Sequence, residues 1–156
     1  FLDQTMSLEI QSAADFIVNL VKISKHNSVS EYQLTRFNNA IVQTLKERYC
    51  CHWNPELPWR GEGYRCIRIN KNLDMLIELA GKSVGLSAKI LKLSLPEDLI
   101  IWINPNLVSF RIKEYGNICI IYENDLNSKH TLNTKKKNFY CKLKTLVDFI
   151  VNCGKF

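Results

Sequence analysis

Apolar residues recur three and four positions apart over Leu8 to Ile23, where Ile10, Ala13, Ala14, Ile17, Leu20 and Val21 share one side and Glu9, Asn19 and Lys22 fall elsewhere. That spacing predicts an amphipathic helix. A second begins after Ser30, whose hydroxyl can cap the first turn while Gln33 reaches back to complete a capping box; Leu34, Phe37, Ile41 and Leu45 form its stripe. The connector KHNSVS is short and polar, so the two are expected to pack as an antiparallel hairpin. The period then breaks. His52 to Asn70 reads HWNPELPWRGEGYRCIRIN, in which Pro55 and Pro58 stiffen the backbone and Gly61 and Gly63 open conformations closed to other residues. Tyr64 to Asn70 predicts a strand with Arg65 and Arg68 on its wet face.

A third helix is expected over Asn72 to Val84, with Leu73, Leu76, Ile77, Ala80 and Val84 on one side and Gly85 as its stop. Ser87 can cap a short helix through Leu93, and Pro96 suits the first turn of another, where Glu97 and Asp98 would favour the helix dipole. Leu99 to Ile103 is a continuous apolar run that Asn104 and Pro105 turn. Leu107 to Lys113 alternates with Val108, Phe110 and Ile112 inward, and Tyr115, Gly116 and Asn117 turn the chain into Ile118 to Tyr122, where Ile118, Ile120 and Tyr122 can fill a sheet. Strands that follow one another without crossover helices predict an α+β fold, an N-terminal helical hairpin and further helices packed on a small antiparallel β-sheet.

The domain is expected to span 6–124. From Asp125 the composition turns to Asn, Ser, Thr and Lys, a basic linker followed by an amphipathic segment with Phe139, Leu143, Leu146, Val147, Ile150 and Val151 on one side. Residues 125–156 either dock as a helix or stay disordered. Charge reinforces this division. Of a net +6, residues 1–124 carry 14 Lys or Arg against 13 Asp or Glu, whereas 125–156 carry 7 against 2. A nucleic-acid binder concentrates positive charge on its folded face, so direct binding by the core domain is not expected. With 156 residues, 46% of them hydrophobic, the chain can bury one core. It lacks an apolar run long enough for a transmembrane helix and a basic-then-apolar leader, which predicts an intracellular protein, begun at Met6 or cut from a longer chain.

Candidate chemistry is sparse. The six cysteines (Cys50, Cys51, Cys66, Cys119, Cys141 and Cys153) include no C-x-x-C pair and are expected to be reduced thiols. Cys50, Cys51 and His52 resemble ligands, but adjacent side chains at a helix end should point apart, so no metal is expected. His26 and His130 lie in polar connectors, and His52 reads as a structural hydrogen-bonding residue. WRGEGYR does not follow a strand and open a helix, as a phosphate loop requires. No catalytic residue and no cofactor is expected. The aromatic residues Trp53, Trp59, Tyr64 and Trp102 are the remaining oddities, either core or interface anchors.

Two long motifs in order, Tyr49 with HWNPELPWRGEGYRCIRIN and the helix near Asp74, then LPEDLIIWINPNLVSFRIKEYGNICIIYE from Leu95 to Glu123, resemble the antiproliferative BTG/Tob domain, over roughly Leu8 to Glu123. EYGNICIIYE is closer to the BTG branch. The resemblance implies a monomeric, non-enzymatic adaptor in cytoplasm and nucleus. It would bind the exonuclease subunit of the CCR-NOT deadenylase complex, promote mRNA deadenylation and restrain proliferation. It implies Tyr64 and Trp102 as deadenylase anchors, with Asn104 and Asp74 as further contacts, and Cys119, Tyr122 and Glu123 as contacts for poly(A)-binding protein. Where the family has Asp, this chain has Asn104; if that Asp meets a cation on the deadenylase, docking weakens by ~1 to 3 kcal/mol. The branch's LxxLL receptor motif is absent from LSAKILKLSL, and the tail matches no family extension. Two rival readings are a direct nucleic-acid binder using Arg65, Arg68 and the tail lysines, and a transcriptional cofactor contacting DNA-bound transcription factors.

Overall fold

The computed structural model describes residues 6–25 and 28–124. His26, His130, Cys141, Cys153 and the 125–156 segment lie outside the described residues. Helix α1, Ser7–Ile23, buries Ile10, Ala13, Ala14, Phe16, Ile17, Leu20 and Val21. Helix α2, Glu31–Tyr49, starts with the expected capping box: Ser30 Oγ accepts from the Gln33 amide at 3.2 Å, and the Ser30 amide donates to Gln33 Oε1 at 3.3 Å. Each satisfies an amide with no partner in its own helix. The hairpin is antiparallel, since Lys22 pairs with Glu31 at 2.7 Å while Gln11 and Asp15 meet Asn38 at 2.9 and 2.8 Å.

A 3-10 turn, Glu62–Arg65, leads into β1, Cys66–Ile69. Helix α3, Met75–Ser83, starts three residues later than expected because Asp74 is its cap, accepting from the Leu76 amide at 2.9 Å. Gly85, at φ +78°, ends it as anticipated. Helix α4, Ala88–Ser94, is capped by Ser87. Pro96 starts no helix: Glu97 and Asp98 form a tight turn with Asp98 at φ +57°, so the dipole account of these two carboxylates does not hold. Strands β2, Leu99–Asn104, β3, Leu107–Ile112, and β4, Cys119–Glu123, follow. The described sheet is antiparallel in the order β1-β2-β3-β4, which gives the expected α+β architecture.

α1 packs on β2, β3 and β4 from one side and on α2 from the other, and Phe16 meets Phe110 with ring centroids 4.7 Å apart. Leu99, Ile101, Ile103, Val108 and Phe110 face this core. Their alternates Ile100, Trp102, Asn104, Leu107 and Arg111 occupy the opposite face and stay partly exposed. Of the set expected to fill the sheet near β4, Tyr122 packs against the core, but the two isoleucines are displaced. A bulge opposite Val108 and Ser109 inserts one residue, so Ile121 is buried while Ile118 and Ile120 are exposed.

One carboxylate ties the first helix to the sheet. Glu9, 4% exposed, accepts at 2.9 Å from the amide of Asn106 in the β2–β3 turn. Burial pushes its carboxyl above the ordinary value, and the Asn106 bond only partly opposes this. The folded chain therefore holds the Glu9 proton more tightly than the unfolded chain. The resulting stability is fully present below the unfolded value and is lost as pH rises through the raised folded one. Glu9→Gln keeps an acceptor for Asn106 and removes that titration. Its stability relative to the parent, from urea midpoints, is expected to rise between acidic and neutral pH; a difference flat in pH would contradict this.

Candidate functional site

The stiff segment after α2 is a series of tight turns. The His52 amide donates to Tyr49 O at 2.9 Å, Asn54 Oδ1 accepts from the amides of Glu56 and Leu57, and the amides of Arg60, Glu62 and Tyr64 each return to a carbonyl three residues back. Such a path leaves inward carbonyls that neither helix nor sheet satisfies. Arg65 takes them. Its Nε donates to Ile103 O at 3.0 Å, its Nη1 to His52 O at 2.6 Å and Arg60 O at 2.8 Å, and its Nη2 to Pro58 O at 2.5 Å and Asn104 Oδ1 at 3.0 Å. The five donors of a planar guanidinium suit this arrangement.

Arg65 is 0% exposed, which corrects its expected place on a wet strand face. The chain is still in the 3-10 turn at Tyr64 and Arg65, and strand alternation starts only at Cys66, with Ile67 and Ile69 buried and Arg68 exposed. Gly61, at φ +77°, admits the guanidinium, since a Cβ there would lie 3.3 Å from Arg65 Nη1. The Trp53 ring, itself buried, lies 5.7 Å from the guanidinium carbon. Burial lowers the Arg65 pKa, while the nearby Glu62 carboxylate opposes the shift.

The same cluster fastens the two motifs together. Asn104 Oδ1 accepts from Arg65, and its Nδ2 donates to Glu62 Oε1 at 2.6 Å, so both ends of the amide are held within the molecule. Tyr64, 57% exposed, stacks on His52 at 4.4 Å with planes 6° apart. Trp102 is half-buried on the sheet face away from α1, with the Arg111 guanidinium 5.7 Å from its ring. Register places Cys66, Trp102, Ser109 and Ile120 in one row across the sheet. Tyr64 lies two residues before Cys66, toward the Asn104 end, so each aromatic has its own supporting partner.

The other candidates are more dispersed. Asp74 is bound internally: besides capping α3, its Oδ2 accepts from the Arg68 amide at 3.2 Å and so joins α3 to β1. β4 forms the sheet edge opposite β1. There Cys119 lies opposite Phe110 and packs against the core, Tyr122 is half-buried with its phenol pushed up by burial and then by Glu9, and Glu123 is exposed opposite Leu107. Glu62 and Arg111 had no expected role, Arg65 was expected at a solvent-facing position rather than as an internal tie, and Trp59, open between core and interface, is 70% exposed. A five-donor side chain beside a Pro- and Gly-rich loop full of free carbonyls was the available clue.

Cys50 and Cys51, expected to diverge, instead bring their sulfurs to 3.6 Å. Among the described residues no group of three or more His, Cys, Asp or Glu side chains could hold a metal ion, and no helix is long and apolar enough to cross a membrane.

A model described as the BTG family matches residues 6–122. Protein BTG1 from Homo sapiens is 44% identical over 119 residues, covering 76% of this chain and 68% of that protein. Protein BTG2 from Homo sapiens is 43% identical over 115 residues, 74% of this chain and 72% of the relative. Protein Tob1 from Rattus norvegicus is 37% identical over 122 residues, 78% of this chain but 32% of the relative. Among solved structures, a double variant of the C. elegans FOG-3 BTG/Tob domain superposes with a TM-score of 0.69 at 20% identity, covering 78% of this chain and 94% of that one. At that identity the likeness speaks to fold.

Proposed function

The chain belongs to the BTG family of antiproliferative regulators, and from that premise we propose that it is a non-enzymatic adaptor for the exonuclease subunit of the CCR-NOT deadenylase complex, promoting removal of mRNA poly(A) tails. The carrying observation is the pair of accessible aromatics, Tyr64 stacked on His52 and Trp102 beside the Arg111 guanidinium, next to backbone at His52 and Ile103 whose carbonyls the buried Arg65 holds. Large aromatic side chains already held in place lose little entropy on binding, which is what a docking surface needs. In this reading the adaptor works in cytoplasm and nucleus as a monomer. Cys119, Tyr122 and Glu123 on β4 offer a second, separate edge to poly(A)-binding protein. Titration of the purified full chain with the exonuclease subunit tests the proposal, and an absence of binding at micromolar concentrations would reject it.

Residue 104 gives a sharper test. An Asp there would place a carboxylate on the Arg65 guanidinium but turn its second oxygen toward Glu62, where the amide now donates. Asn104→Asp alone is expected to change stability little. Combined with Glu62→Gln, it should gain about 1 kcal/mol from the charge-assisted bond, a coupling that a double-mutant cycle measures. Because both ends of the amide are engaged internally, affinity for the exonuclease subunit is expected to stay within roughly threefold, well under 1.4 kcal/mol. A tenfold gain would instead mean that position 104 reaches the partner.

A further inference from the structure

Cys50 and Cys51 are both exposed, and their sulfurs lie 3.6 Å apart at the end of α2, where Cys50 is the C-cap at φ −51° and ψ −34°. The other described thiols are placed differently: Cys66 is buried and Cys119 packs against the core. The next residue, His52, is a junction. Its carbonyl accepts from Arg65 and its ring stacks on Tyr64.

We propose that Cys50 and Cys51 form a reversible oxidation site, closed by hydrogen peroxide into a vicinal disulfide that moves His52 and, through it, Tyr64. One thiolate attacks a peroxide oxygen, the O–O bond breaks, and hydroxide leaves to give a sulfenic acid. The neighbouring sulfur then attacks that sulfur, the S–O bond breaks and water departs. Two thiols and one peroxide thus become one disulfide and two waters. Reduced glutathione reverses the step, two molecules supplying the electrons and protons and leaving as glutathione disulfide.

The eight-membered ring links residues whose Cα atoms are about 3.8 Å apart across a trans peptide, closer than the ~4.4 Å at which ordinary disulfides begin. It therefore forces the backbone at Cys50 and Cys51 out of its helical geometry. The residue nearest that change is His52, which lacks slack because Arg65 holds its carbonyl. A strained link of this kind is readily reduced, which suits a switch better than a permanent staple. The effect on partner binding rests on the docking reading above, whereas the disulfide and the displacement of Tyr64 do not.

The test treats the full chain with one equivalent of hydrogen peroxide, maps its peptides by mass spectrometry and follows the His52 and Tyr64 ring protons by NMR. The expected result is loss of two hydrogens from the peptide holding Cys50 and Cys51, recovery with reduced glutathione, and ring shifts that a Cys51→Ser variant does not show. Separate sulfinic acids, links to Cys66 or Cys119 or between chains, or a closed Cys50–Cys51 ring with unmoved Tyr64 signals would each overturn the proposal. Affinity for the exonuclease subunit should fall at least tenfold on oxidation. An unchanged affinity beside shifted Tyr64 signals would count against the docking reading alone.

Discussion

Replacing Arg65 with alanine is expected to destabilise the domain by about 3 to 5 kcal/mol, a large part of the ~5 to 15 kcal/mol that holds a typical domain folded. The substitution strips the donor from four backbone carbonyls, of His52, Pro58, Arg60 and Ile103, and from Asn104 Oδ1. Each buried acceptor left unmet costs roughly 1 to 3 kcal/mol, and water entering the relaxed loop returns part of that. Lysine is a demanding control because it keeps the charge. An ammonium has three donors on a flexible stem and cannot span acceptors on both sides of a planar fork, so Arg65→Lys should recover well under half of the loss. Urea midpoints of parent and variants measure the effect. Amide exchange in Trp59 to Tyr64, expected to accelerate even in Arg65→Lys, reads the loop if Arg65→Ala does not fold. A loss below 1 kcal/mol in Arg65→Ala would show that the carbonyls are satisfied without it.

The double variant Tyr64→Ala, Trp102→Ala is expected to abolish measurable binding to the exonuclease subunit while leaving the fold intact. Neither ring is in the core: Tyr64 is 57% exposed and Trp102 is half-buried on the open sheet face. Truncating them gives up one stacked pair and one partly exposed cation–π contact, each about 0.5 to 1.5 kcal/mol. Aromatic anchors at the centre of an interface commonly contribute ~2 kcal/mol or more apiece, so each single variant should weaken affinity roughly thirtyfold or more. Calorimetric titration, with thermal unfolding as a check on folding, measures this. A folded double variant that binds like the parent would remove both residues from the interface.

The helices and their caps were legible because their signals are local. Ser30 with Gln33, Ser87 and Gly85 act on amides and dihedrals within a few residues. Strands were legible as strands, but their phase was not. Tyr64 to Asn70 offers Tyr64 and Cys66 on one phase and Ile67 and Ile69 on the other, and the buried phase is the second, which carries Arg65 inside with it. On β4 one inserted residue reverses which isoleucines face the core, and the partner strand that shows the insertion ends seven residues earlier. At the candidate site the resemblance pointed to Tyr64, Trp102, Asn104 and Asp74, but not to how they are held. The Arg65 to Asn104 and Asn104 to Glu62 bonds join residues 39 and 42 apart, a separation that no periodicity reports.

The bond from the Asn106 amide to Glu9 spans 97 residues. Asn106 also receives the end of β4, where the Asn124 amide donates to its carbonyl at 2.8 Å. The β2–β3 turn thus waits on the earliest and the latest parts of the domain, and closing so long a loop is entropically slow. During synthesis the helical hairpin can form long before the strand bearing Trp102 emerges, but the turn beside that strand is completed only when Glu9 and Asn124 have both arrived. The turn beside the Trp102 strand is therefore expected to be among the last parts to lock, since a chain ending before Asn124 lacks its closing bond.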